Sequence, residues 1–220
     1  MNSVKCYNSF VGFMPRIFWY VLHPIFIASF TYFQLGFLRS EWMLKGCFCL
    51  VMPISMFILF CFDRWAIGPI FLNKGQDDEL IKSSPRGGLF LRKVFAVDII
   101  FRFILYVALN LIQVLMTVIS GFYGSYKTSI IASAILFLIS LDAISNLMLI
   151  VARSLEGTTS AILAIYGLEI LFAPAIISII VGKVYLMLIF AILYLFVDVL
   201  VIVCNIKKTK KLVEEIWYTD

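Results

Sequence analysis

Residues 63–102, DRWAIGPIFLNKGQDDELIKSSPRGGLFLRKVFAVDIIFR, form the one long polar interruption in a chain that is otherwise apolar. Within it an acidic cluster (Asp77, Asp78, Glu79) precedes a helix-like Leu80-Ile81. A Ser83-Ser84-Pro85-Arg86-Gly87-Gly88 breaker follows, then a basic end at Arg92-Lys93. Pro and paired Gly end regular structure, and clustered charge keeps a segment in water. The segment from about 63 to 96 therefore reads as a cytoplasmic elbow between two hydrophobic spans, shaped to touch a soluble partner.

The rest of the chain belongs in lipid. Of its 220 residues 63% are hydrophobic and only 14% charged, with a mean hydropathy of +1.03. That leaves too little polar surface to cover a soluble globule of this size. The net charge of +5 does not point to nucleic acid. Lys and Arg fall in short clusters between apolar runs, with no basic face interleaved with exposed aromatics. Cys6, Cys47, Cys49, Cys61 and Cys204 lie mostly in apolar runs, where a thiol packs as a small hydrophobe. Cys47-Phe48-Cys49 lacks the spacing of a redox or zinc pair.

About 20 apolar residues cross the ~30 Å hydrocarbon core as a helix. Measured between charges, six candidate spans emerge, at 17–38, 46–62, 96–122, 129–152, 158–181 and 184–206. They predict an all-α membrane protein of six transmembrane helices in one domain, 1–220. The first apolar run is long enough to span, and no small-x-small site follows it, so it reads as a retained span rather than a cleaved signal. Pro53 is expected to kink the second span, and Pro174 lies in the fifth. Gly182-Lys183 leaves the last two as a tight hairpin or one broken element. Asp98 and Arg102, one turn apart, are expected to pair and to stay at the membrane surface. Trp19 and Tyr20, with Trp217 and Tyr218, suit interfacial belts.

Orientation follows from the Lys and Arg count. With the N-terminus inside, the cytoplasmic segments carry Lys5, Arg16, Arg64, Lys74, Lys82, Arg86, Arg92, Lys93, Arg153, Lys207, Lys208, Lys210 and Lys211, thirteen in all. The outer turns carry four: Arg39, Lys45, Lys127 and Lys183. Both termini and the elbow are expected in the cytoplasm. The Lys207–Lys211 cluster reads as a stop-transfer signal with a taste for anionic head groups.

No nucleophile with a base, no acid–base pair and no metal cluster stands out, so no enzymatic activity is expected. No GxxxxGK[ST] occurs, and the chain cannot bind ATP by a P-loop of its own. The single histidine, His23, beside Pro24, reads as an interfacial residue; an axial haem ligand would need a second partner. Asp142, Glu169 and Asp198 fall near the middle of the last three spans. Charge there is costly and has a reason. Either these acids face the bundle interior, held by groups such as Asn110, Gln113, Ser140 or Asn146, or they form a proton or cation path.

The acidic cluster before Glu79-Leu80, the turn at Ser83-Ser84-Pro85 and the Lys at the mouth of the third span resemble the loop between the second and third helices of ABC-2 type permeases. Asp63-Arg64 closing the second span and Pro174 in the fifth look most like the haem exporter protein B family of cytochrome c maturation. The resemblance implies a homodimer of six-helix subunits in a bacterial inner membrane, with the mitochondrial inner membrane the less favoured setting. It implies a coupling helix, with Asp77, Asp78, Glu79, Leu80, Ile81 and Pro85, that docks on a separate ABC ATPase subunit. It further implies a haem-handling membrane partner and haem as cargo, with no cofactor bound by a recognisable motif. Open alternatives are an ABC-2 permease for a lipid, polysaccharide or drug, and an ion-coupled carrier or membrane scaffold without an ATPase.

Overall fold

In hydrocarbon every backbone N–H and C=O must find its partner within the same segment, so long apolar runs fold as helices. The computed structural model describes residues 2–37, 41–66, 86–121, 123–154 and 170–218, and among these there is helix but no strand. The elbow residues 67–85, with Asp77, Asp78, Glu79, Leu80, Ile81 and Pro85, and Glu169 on the fifth candidate span, lie outside the described residues.

The amphipathic α1 (Ser3–Phe10) is capped by the Asn2 side chain, which accepts from the Val4 N–H at 3.3 Å. After Gly12 come α2 (Phe13–Ile17), one π-helical turn (Phe18–Leu22) and α3 (His23–Phe37), in a continuous run. Pro15 sits in the first turn, where its missing N–H costs nothing. The widened turn stands directly before Pro24, whose ring would otherwise crowd the Tyr20 carbonyl. Then follow α4 (Glu41–Ala66), α5 (Gly87–Ile119), α6 (Tyr123–Ser154), α7 (Ile170–Val181) and α8 (Val184–Tyr218). Gly182, at φ +73°, reverses the chain between α7 and α8, so those two form a tight hairpin and not one broken helix.

Four stretches are long and apolar enough to cross a membrane: Phe13–Leu35, Gly87–Ile119, Lys127–Leu149 and Val184–Cys204. The apolar parts of α4 and α7, Phe48–Asp63 and Ile170–Val181, are shorter. The third span begins at Gly87 and not near Ala96, because glycine in a first helical turn does not stop the turns after it.

Side-chain contacts fix the directions of the helices. Trp19 stacks on Phe62 and His23 meets Ser55, so α3 and α4 are antiparallel. Tyr20 packs against Phe101 and Gln113 donates to Thr31 at 2.7 Å, so α3 and α5 are parallel. Asn110 donates to the Ala134 carbonyl and Arg102 to Asn146, so α5 and α6 are antiparallel. Ser133 meets Met187 and Asn146 meets Asp198, so α6 and α8 are parallel. The starts of α2 and α5 and the ends of α4, α6 and α8 therefore share one end of the bundle. Lys5, Arg16 and the helical Lys207–Lys211 segment gather there.

The helix α6 is the axis of the bundle. Its apolar window is 72% buried, against 22–28% for the other three crossing stretches, so the others wrap it and turn their outer faces to lipid. Large apolar side chains such as Ile192 and Phe196 on α8 and Leu111 on α5 stand on those outer faces.

Candidate functional site: a charge network inside the bundle

Asp98 and Arg102 lie four residues apart on α5, so their side chains leave the same helix face one above the other. They pair at 3.2 Å, Arg102 Nε to Asp98 Oδ2. Their expected place was the membrane surface. Within the protein they are 1% and 2% exposed, because α1 folds over this part of α5. Tyr7 of α1 sits edge-on to Phe101 at 5.3 Å and shares a hydroxyl contact of 2.7 Å with Tyr20. Burial, and next the Asp98 carboxylate, raises the Tyr7 phenol far above its ordinary range, so it stays neutral against that charge.

From Arg102 the network crosses to the next two helices. Arg102 Nη1 donates to Asn146 Oδ1 on α6 at 3.4 Å, and Asn146 Nδ2 donates to Asp198 Oδ1 on α8 at 2.9 Å. The amide is the one neutral group that can serve a cation with its oxygen and an anion with its nitrogen. Asp142 lies one turn before Asn146 on α6, on the face from which Asn146 meets Asp198, and both acids are 8% exposed. The Ser145 hydroxyl turns back to the Asp142 carbonyl at 2.8 Å, and buried Tyr106, one turn beyond Arg102, stands beside it. Asp98, Arg102, Asn146, Asp142 and Asp198 thus tie α5, α6 and α8 together. Asp198 lies nine residues, about 13 Å of helix rise, before Lys207.

Of the three acids expected in mid-span, the structure brings Asp142 and Asp198 together, with Asn146 as the partner. Asn110 turns instead to the Ala134 carbonyl, Gln113 to Thr31 and Ser140 to the Phe137 carbonyl. His23 and Trp19, expected at the membrane surface, are 2% and 0% exposed. Trp19 is sandwiched between the His23 ring at 4.9 Å and the Phe62 ring at 5.0 Å, and His23 Nε2 meets Ser55 Oγ at 3.2 Å. Cys6 and Cys49 are buried, Cys61 and Cys204 exposed, and all four are free thiols. Among the described residues no group of three or more His, Cys, Asp or Glu side chains could hold a metal ion.

No family model, curated protein or solved structure matches this chain. The network is therefore interpreted on its own chemistry. Charge this well buried links α5, α6 and α8, because an unpaired member would be left in a medium that cannot solvate it.

Proposed function

We propose that the chain is the permease subunit of an ATP-driven exporter of ABC-2 type, taking its motion from a separate ATPase that docks on residues 77–85. The observation that carries this reading is the set of helix directions. Ala66 and Arg86, which flank the elbow, lie at the end of the bundle that also gathers Lys5, Arg16 and Lys207, the end that the excess of basic residues assigns to the cytoplasm. An ATPase in the cytosol meets the elbow there. The acids Asp77, Asp78 and Glu79 would face basic residues on the ATPase, and Leu80 and Ile81 would fill an apolar cleft.

The elbow continues directly into α5, a stiff helix whose fifth turn carries Arg102. A push on its start is handed through Asn146 to α6 and α8. In this reading the chain crosses the membrane six times, α4 and α7 included, and works as a homodimer in a bacterial inner membrane with both termini inside. Haem is the first cargo to test, with a haem-handling membrane protein as the further partner, because the elbow and Asp63-Arg64 resemble the haem exporter protein B family.

The test is co-purification. Replacing Asp78 and Glu79 by Lys puts like charges against the ATPase, and at least about tenfold less ATPase is expected to come down with the permease while its amount in the membrane holds. Undiminished recovery of the ATPase overturns the docking site. The two buried acids Asp142 and Asp198, on adjoining helices α6 and α8, favour one second reading, an ion-coupled carrier. Transport that is lost in Asp142→Asn and that never needs an ATPase selects that reading.

A further inference from the structure

A groove of about 620 Å³ runs down the outside of the bundle between α1–α3 and the middle of α5. Its walls are apolar: Tyr20 and Pro24 on one side, Phe101 and Ala108 on the other. From Arg16 to Pro24 the wall extends about 12 Å along the helix axis. The groove opens sideways, between Val21 and Ile104, which are 48% and 56% exposed. In a crossing helix that side is hydrocarbon.

Its polar end is built differently. Asn8 and Arg16 line the groove at the basic end of the bundle. Arg16 spends its Nε on the Gly12 carbonyl at 3.3 Å, which fixes the base of the guanidinium and leaves both Nη groups for another acceptor. Among the described residues no carboxylate pairs with Arg16. A half-buried guanidinium paired with no carboxylate among the described residues, at the mouth of an apolar slot, suits an anion with an apolar tail.

We propose that this groove binds one anionic phospholipid, with its phosphate on Arg16 and Asn8 and an acyl chain laid along Tyr20, Phe101, Pro24 and Ala108. A bare apolar groove would take any lipid tail. The guanidinium makes this one discriminate by head group, since a basic residue near a membrane surface favours anionic over zwitterionic lipid by about fivefold. The site does not depend on the proposed transport role. It adds a lipid requirement for the α1–α3–α5 corner, the corner that covers the Asp98–Arg102 pair.

The test uses the full chain reconstituted in nanodiscs of equal phosphatidylglycerol and phosphatidylcholine, with retained lipid counted by native mass spectrometry. The native chain is expected to keep about five phosphatidylglycerol adducts for each phosphatidylcholine. Arg16→Gln should bring that ratio to about one, while Ala108→Phe, which fills the slot and leaves the charge, should lower retention of both lipids. Equal retention of the two lipids by the native chain overturns the proposal. So does a phosphatidylglycerol excess that survives Arg16→Gln, or retention unaffected by Ala108→Phe. Release of the lipid by inorganic phosphate alone would show an ion site without a chain site, and overturns it too.

Discussion

Two of the polar contacts buried in this bundle differ in charge. Between α3 and α4, His23 and Ser55 make one contact beneath a stack of Trp19 and Phe62. Between α5, α6 and α8, an ion pair is passed through Asn146 to a second acid. Both are almost wholly buried. Lost from the first, a partner leaves a neutral ring among apolar neighbours; lost from the second, it leaves a charge where nothing else can solvate it. The first contact fits helices together, whereas the second forbids them to separate.

The sharpest way to break this contrast is Arg102→Leu. It strips the guanidinium from both Asp98 and Asn146, and removing one partner of a buried pair costs about 3–5 kcal/mol. Thermal unfolding in mild detergent should show the largest loss of any single change in the bundle, together with a lower folded yield. The double change Asp98→Leu with Arg102→Leu leaves no orphan charge on α5 and should recover the part of that loss that comes from Asp98, since a buried pair replaced by apolar groups of similar size is often neutral. If the double variant is as unstable as the single one, the ion pair is not what Arg102 supplies.

Asn146 comes next. Asn146→Leu keeps the branched shape and removes the hydrogen bonds to Arg102 and Asp198, at about 1–3 kcal/mol. Asn146→Asp sets two acids against each other and should be worse. Joined with Asp198→Asn, however, it rebuilds the same chain of contacts with the two groups exchanged: the new carboxylate on α6 accepts from Arg102, and the new amide on α8 donates to that carboxylate. Stability that returns in this swapped pair identifies the hydrogen-bond relay. Stability that stays low points to packing alone. If the proposed transport role holds, Asn146→Leu should also leave ATPase binding intact while export per ATP falls, because the push then ends at α5.

The difference between the two contacts also marks how far the sequence could be read. Charge gaps located most of the helices because a span in lipid tolerates few charges, and Asp142 and Asp198 were recognisable as interior groups for the same reason. Their meeting was not recognisable. It depends on α6 and α8 running parallel in a register that sets Asn146 against Asp198, and nothing local encodes that. Asp98–Arg102 was legible as a pair but its burial under α1 was not, and Gly87-Gly88 looked like the end of a loop and is the first turn of α5. Leu89-Phe90-Leu91 ahead of Arg92 was the available signal that the helix had already begun. Trp19 and His23 misled because an amphipathic ring near a span's end commonly faces the membrane surface. Here Phe62 of α4 closes over the stack, and only the three-dimensional approach of α4 reveals it.

The smallest effect should come from the neutral contact, and it tests the contrast from its other side. Ser55→Ala removes the hydroxyl from His23 Nε2, a loss of about 0.6 kcal/mol and at most about 1.7 for a neutral hydrogen bond between membrane helices. His23→Phe discards the hydrogen bond while keeping a flat ring between Trp19 and α4, so its unfolding temperature should fall no further than that of Ser55→Ala. A loss in His23→Phe comparable to that in Arg102→Leu would mean that the imidazole carries something beyond stacking and one hydrogen bond. The α3–α4 contact would then belong with the charged network rather than opposite it.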